Sequence, residues 1–463
     1  MRNFHYRKKN KTKIPFLIGF VLFMIVAVYI YMSNDFERES PKINVGDKVY
    51  WNLQKPVPLE ISDNSGIKSY KISLIQEGKE ILLEEKKSLK DYPKKINLEL
   101  NYSKGRMLST NAKTILKIEI EDKSLWNFFG GNELEKELEV VIDEKKPLVN
   151  IISKSYALIQ GGAGLVIFEA KDEHLSELYI ESSEGRKFGV SKFLKDGFFI
   201  ALISNDLRDK SFKMYIDAKD KAGNFTKTYI PFYYINRTYQ TSKINLSEKF
   251  LDGKIEQLFS EISSKAGTTV SGIDRLDKFK FINEALRDAN YEFIAKYTSK
   301  ISNETIRDFN IKPFIPLINS AKVGSFGDHR FYQYNGKDVS QSYHMGIDFA
   351  STENDKIPVS NSGTIVYAGD NGIYGNTVIV DHGLGLYTIY SHCTTVAVSE
   401  GTKVREGDII GYTGTTGLAL GDHLHFGILV QGIETKPEEW LDENWIKANI
   451  TNIISDAKKT IGE

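Results

Sequence analysis

The sequence predicts a multi-domain, mainly β protein: one N-terminal transmembrane helix, two β-sandwich modules, a helical connector and a turn-rich β domain near the C-terminus. Three observations carry that expectation. An uncharged run of 19 residues, Ile14 to Met32, follows a basic tail. Two later stretches alternate apolar and polar residues at the period of a strand and look like copies of one another. Six of the eight histidines and 18 of the 36 glycines fall between Ala321 and Trp445. The chain has 463 residues, room for about three domains at roughly 150 residues each.

Residues 1–13 hold Arg2, Arg7, Lys8, Lys9, Lys11 and Lys13 and no acid. The apolar run at 14–32 would form a helix about 28 Å long, enough to cross the hydrocarbon core of a bilayer. Its aromatic end, Tyr29-Ile30-Tyr31-Met32, lacks the small residues of a signal-peptidase site, so a retained anchor is expected rather than a cleaved signal. The basic flank places the N-terminus in the cytoplasm and the bulk of the chain outside the inner or cytoplasmic membrane, in the periplasm if the envelope is Gram-negative.

Residues 43–143 and 147–236 form the two alternating stretches. Ile61-Ser-Asp-Asn-Ser-Gly in the first parallels Phe168-Glu-Ala-Lys-Asp-Glu in the second, and Ile118-Glu-Ile-Glu-Asp parallels Ile216-Asp-Ala-Lys-Asp. Short strands at regular turn spacing in units of about 90–100 residues suggest antiparallel sandwiches. The turn Asp220-Lys-Ala-Gly-Asn224 resembles one found in bacterial immunoglobulin-like modules. At 247–320 the period turns helical, with Leu251, Ile255, Leu258 and Phe259 on one face and Ile282, Leu286, Ala289 and Phe293 on another. This stretch is expected to be a helical connector, punctuated by Pro313 and Pro316. A β domain at 321–445 and a helical tail at 446–463 complete the chain.

Lys+Arg and Asp+Glu both number 61, a balance that argues against a nucleic-acid binder. The balance is uneven along the chain: residues 321–445 contain 7 basic and 16 acidic residues, which favours a divalent cation over a polyanion. A single cysteine, Cys393, excludes an intrachain disulfide framework and any multi-cysteine metal site, and it is read as a small buried hydrophobe. Metal, if bound, must be held by His, Asp and Glu.

Within 321–445 stand His344-Met-Gly-Ile-Asp348, Tyr390-Ser-His392 and His423-Leu-His425. Two residues apart on a strand, His423 and His425 share one side of a sheet. Three protein ligands of His and Asp type leave one tetrahedral position open, the arrangement of catalytic rather than structural zinc. His-Glu-x-x-His is absent, so a histidine must take the place of its glutamate base.

These motifs, in this order, resemble the lysostaphin-type (LytM-type) zinc peptidases that cut peptidoglycan. The flanking Ser325-Phe-Gly327 with Arg330, Asp381-His-Gly383 and Gly421-Asp-His-Leu-His-Phe-Gly427 are similar too. The resemblance covers about residues 321–445. It implies one Zn2+ held by His344, Asp348 and His425, with His392 and His423 as the catalytic histidines, and a peptidoglycan substrate cut by an endopeptidase. Two alternatives stand beside that expectation. One is a D,D-carboxypeptidase; the other is an inactive LytM-type module that binds and activates another wall hydrolase, although such modules typically lack ligands that are all present here. Of the other histidines, His5 and His174 are read as ordinary surface or core residues and His382 as part of a turn. His329 neighbours Arg330, and either could reach a substrate groove.

Overall fold

A computed structural model of the chain describes residues 13–103, 108–110, 112–209, 211–267 and 272–463. His5 and the expected cytoplasmic tail, apart from Lys13, lie outside the described residues. Lys13–Met32 is one helix, long and apolar enough by length and composition to cross a membrane. Beyond it the chain is mainly β and forms two compact units, one of residues through Lys146 with Asp220–Asn224, the other of Pro147–Lys219 with Phe225–Glu463.

The first unit is a two-sheet sandwich. A three-stranded antiparallel sheet of Lys42–Asn44, Val57–Ser62 and Lys95–Leu100 faces a five-stranded sheet ordered Lys48–Trp51, Glu133–Ile142, Thr114–Asp122, Ile67–Gln76 and Lys79–Lys86. Thr114–Asp122 shows why these residues make a strand: every second side chain, including Leu116, Ile118 and Ile120, is buried, and the residues between are partly exposed. Trp51, Ile61, Ile72 and Leu74 fill the same core.

The second unit begins with another sandwich. Ser191–Lys192, Phe198–Ser204, Ala163–Lys171 and Leu148–Lys154 form one sheet; Lys187–Phe188, Leu175–Ser182, Met214–Asp220 and Phe225–Ile230 form the other. Val166, Phe168, Ala201 and Ile203 point into the space between the sheets. The opposite face of the first sheet, with Leu165, Ile167, Ile200 and Leu202, is also buried, in a core shared with Val378, Val380, Phe426, Ile428 and Trp440 of the C-terminal region. Ala163–Lys171 is apolar almost throughout because both its faces are covered. Polar contacts follow the same seam: Gln431 Nε2 donates to Gly189 O and Leu202 O, and Glu439 Oε2 accepts from Ala163 N–H.

Helical turns run over Glu248–Phe250, Leu251–Ile255 and Glu256–Lys265, then over Arg275–Phe281, Ile282–Leu286 and Arg287–Thr298. Ser247 and Asp274 cap the two starts by accepting backbone N–H groups. Leu251, Ile255, Phe279, Ile282 and Ile294 pack onto Tyr332, Ile373, Tyr374, Ile379, Ile389 and Leu429, so these helices cover one side of the C-terminal sheet. No helix continues past Thr298 into the expected connector. Residues 299–320 run as an irregular strap whose Phe309, Phe314 and Leu317 enter the core shared with Trp440, consistent with Pro313 and Pro316 removing donors that a helix needs.

The C-terminal region is built on an antiparallel sheet in the order Ala321–Gly324, Ile347–Ala350, Leu424–Val430, Leu386–Cys393, Asn376–Asp381, Gly363–Asp370, Lys403–Val404, with Ile433–Thr435 also paired to Leu424–Val430. A smaller sheet of Lys356–Pro358, Ile409–Tyr412 and Thr395–Val396 stands beside it. Helices after Pro437 end the chain and bury Trp440, Ile446, Ile450 and Ile454. Trp440 is fully buried at the meeting of this region with the second sandwich. Trp440→Ala should cost about 3–5 kcal/mol through lost burial and a cavity. Urea unfolding followed by fluorescence and by circular dichroism would check it, with both parts of the shared core expected to melt together at the lower midpoint.

Candidate functional site

Three neighbouring strands bring the motif residues together. Asp348 on Ile347–Ala350 lies directly across from His425 on Leu424–Val430, and Ser391 on Leu386–Cys393 lies across from His425 on the other side. His344 sits in the turn leading into the first of these strands. The loop Thr413–Gly421 closes over their ends and is pinned where Thr416 Oγ1 donates to Cys393 O and accepts from Asn376 N–H.

His344 Nε2, Asp348 Oδ1 and His425 Nδ1 form a triangle with sides of 2.9, 3.0 and 3.0 Å. His344 Nδ1–H donates to Ser325 O at 2.8 Å, so His344 Nε2 carries a lone pair. A carboxylate oxygen and imidazole nitrogens thus converge as acceptors on one point, an arrangement that calls for a cation. The sides come close to the roughly 3.3 Å edge of a tetrahedron with zinc bonds of about 2.0–2.1 Å, so the donor set fits zinc. Two glycines make room for it. A Cβ on Gly346 would come within 2.6 Å of the His425 imidazole, and one on Gly324 within 2.3 Å of Asp348 Oδ2. Burial pushes the Asp348 carboxyl up, but His344 and His425 outweigh it and hold the group well below the usual carboxylate range. Burial brings His425 down to about 4.

His392 and His423 stand beside the triangle, their ring centres 4.8 Å apart. His392 Nδ1–H donates to Thr416 O at 2.8 Å and His423 Nδ1–H to Gly421 O at 2.9 Å, which keeps both Nε2 atoms clear of the backbone. His423 Nε2 is 3.8 Å from Asp348 Oδ1. Burial, then repulsion from His423 and His425, lowers the His392 pKa well below its ordinary value, so the ring is neutral. The strand bulges opposite Asn376–Val378, and His392 there has φ +64°, a left-handed conformation that is rare for a non-glycine residue.

All five motif residues line one cavity of about 520 Å³. Arg330 lines it too, its Nε 3.2 Å from Asp328 Oδ2 and a terminal nitrogen 3.6 Å from Asp348 Oδ2. His329 does not line it: its ring stacks on Tyr343 and its Nε2 meets Gln341 Oε1 at 2.9 Å. Cys393 is buried, with its thiol pushed up to about 12 by burial. Sequence reasoning missed the rest of the cavity wall, in which Ile244 to Ser247, Phe250, Phe279, Arg287 and Tyr374 take part. Tyr374 packs edge-on against His425 with centroids 5.4 Å apart, and its hydroxyl donates to Glu434 Oε1. Its signal was an aromatic residue inside the Gly372–Gly375 turn.

His382 serves packing instead. Its Nδ1–H donates to Ser362 O and its Nε2 accepts from Thr388 Oγ1, a neutral pattern that burial reinforces by bringing its pKa down to about 4. The unfolded chain binds a proton at this residue below about pH 6.5 and the folded chain does not until about 4, so stability falls as pH drops through that window. His382→Gln should flatten the urea midpoint between those two pH values relative to wild type.

Histidines and a carboxylate on neighbouring strand ends thus form a buried donor set that could hold a metal ion inside one cavity. Residues 342–437 match Peptidase family M23, and the chain carries an M23 domain of the LytM/lysostaphin type. Among relatives, DD-carboxypeptidase/endopeptidase Mpg of Neisseria meningitidis is 33% identical over 129 residues, 28% of either chain. Peptidoglycan DD-endopeptidase ShyA of Vibrio cholerae is 25% identical over 250 residues, 46% of this chain and 56% of that one. The matches thus span between about a quarter and just over half of these relatives. The catalytic domain of lysostaphin from Staphylococcus simulans is 29% identical with a TM-score of 0.23, covering 27% of this chain and 92% of that structure.

Proposed function

We propose that this protein is a membrane-anchored zinc endopeptidase that hydrolyses peptide cross-links or stems of peptidoglycan. The observation that supports it most is the convergence of three acceptor atoms beside two imidazoles whose Nε2 atoms are free, all in one cavity. His344, Asp348 and His425 would hold one Zn2+, which when bound supplies Lewis-acid polarisation and brings the pKa of water from 15.7 towards about 7. His392 and His423 offer their Nε2 atoms beside the triangle. The imidazole that takes the proton of the attacking water becomes an imidazolium and passes that same proton to the leaving amine, while a hydrogen bond to the developing oxyanion requires the other ring to enter the step protonated at Nε2. Carbonyl contacts at both Nδ1 atoms keep the rings in the orientation that this needs.

The printed names of the relatives support a peptidoglycan peptide as substrate, and that of the Neisseria protein joins endo- with carboxypeptidase action. The retained ligand set weighs against an inactive, partner-activating module. In this reading the Lys13–Met32 helix anchors the chain, the basic tail stays in the cytoplasm, and residues 43–143 and 147–236 are immunoglobulin-like modules outside the membrane. Purified residues 33–463, incubated with cross-linked muropeptides, should release products that stop forming with a chelator and return with zinc. Product masses separate cross-link cleavage from loss of a terminal D-amino acid. No metal-dependent cleavage of any muropeptide would refute the proposal.

A further inference from the structure

The cavity holds two arginines in unlike surroundings. Arg330 is met by the carboxylates of Asp328 and Asp348. Arg287 comes from the helix Arg287–Thr298, outside the matched family segment, and has no carboxylate partner among the described residues. Asn283 holds one edge of its guanidinium: Arg287 Nε donates to Asn283 O at 3.1 Å and a terminal nitrogen to Asn283 Oδ1 at 2.9 Å. Asn283 is itself fixed, donating to Ser340 Oγ and Gln341 O. Tyr291, Tyr332 and Tyr374 surround the charge. Across a second, smaller cavity of about 200 Å³, also lined by Arg287, stands Glu434, whose carboxyl accepts a hydrogen bond from the Tyr374 hydroxyl, is pushed up to about 8 by burial, and forms no salt bridge with Arg287 among the described residues. Glu284 and Asp288, the other acids there, are exposed on the helix surface.

A half-buried guanidinium set among tyrosines is costly to leave without an anion, and this one lines the cavity that contains the His/Asp triangle. Tyr374 links the two places, its ring on His425 and its hydroxyl in the field of Arg287. We propose that Arg287 binds a carboxylate of the peptide substrate and thereby sets which bond reaches His392 and His423. A planar guanidinium already held along one edge can pair with a carboxylate through its remaining N–H groups. The helices from 248 to 298 are then part of the substrate site. Two carboxylates of a cross-linked stem peptide offer this chemistry: the C-terminal one, and the side carboxylate of the diamino acid.

This inference rests on the peptidase reading above. Its test uses the full-length chain in detergent with three synthetic cross-linked peptides: all carboxylates free, C-terminal carboxyl amidated, and diamino-acid side carboxyl amidated. One amidation should raise KM about tenfold or more with kcat within about twofold, and the one that does so names the bound group. Arg287→Gln should raise KM for the free peptide by a similar factor and be indifferent to that amidation; Arg287→Lys should recover part of the loss. Equal KM for all three peptides on the wild-type chain would overturn the inference while leaving the peptidase reading intact, and so would an Arg287→Gln variant that loses kcat alike on all three. If Arg287→Gln does not fold, the wild-type comparison decides alone. Cleavage of none of the peptides would overturn both.

Discussion

His344→Ala, Asp348→Ala and His425→Ala should each lose zinc and cleavage together, with kcat/KM down by more than about 10³-fold. The estimate is conservative, because removing a single electrostatic stabiliser from an active site already costs about 10²–10³. The triangle gives the physical reason: three acceptor atoms about 3.0 Å apart would hold a cation jointly, and removing any one opens the set. Asp348→Ala should be the most disruptive, since it also takes a carboxylate from Arg330. Metal analysis of purified variants beside muropeptide digestion would check the set. A His425→Ala protein with undiminished zinc and full activity would refute the assignment.

His392→Ala and His423→Ala should behave differently, retaining zinc while kcat falls by about 10²–10⁴-fold with little change in KM. On the proposed mechanism the double variant should be scarcely worse than either single one, because both imidazoles would act on one proton-transfer sequence. His392 allows a further check. At φ +64° it stores backbone strain that glycine would relieve and alanine would not, so His392→Gly should be about 1 kcal/mol more stable than His392→Ala while equally inactive. Equal urea midpoints for the two would argue against the strained bulge.

The grouping of the candidate site residues was legible in the sequence because they lie in short motifs. His423 and His425 share a side of the sheet by strand alternation, and the ladder pairs His425 with Asp348, as two strands of one sheet allow. What escaped depends on packing between distant segments. Nothing local in Asn245-Leu246-Ser247 or in Phe279 announces a cavity wall; their place follows from the pairing of Thr241–Asn245 with His329–Tyr334 and from the helices lying on the sheet. Arg287 reads as one more exposed position on an amphipathic helix until Tyr332 and Tyr374 are set beside it. The second sandwich did give a signal: Leu165-Val-Ile-Phe168 and Phe198-Phe-Ile-Ala-Leu-Ile203 are unbroken apolar runs, where a strand wet on one face would alternate.

Those runs bear on how such a protein is assembled over evolutionary time. A module joined only by a linker can be gained, lost or traded without harm to its neighbour. Here a cut near residue 320 would strip Leu165, Ile167, Phe193, Ile200 and Leu202 from Phe426, Ile428 and Trp440, leaving two sticky faces. The packed unit that carries the 342–437 segment is therefore longer than that segment and begins near Pro147. Chimaeras that graft a new N-terminal module should be joined at that point, with the second sandwich travelling with the C-terminal region.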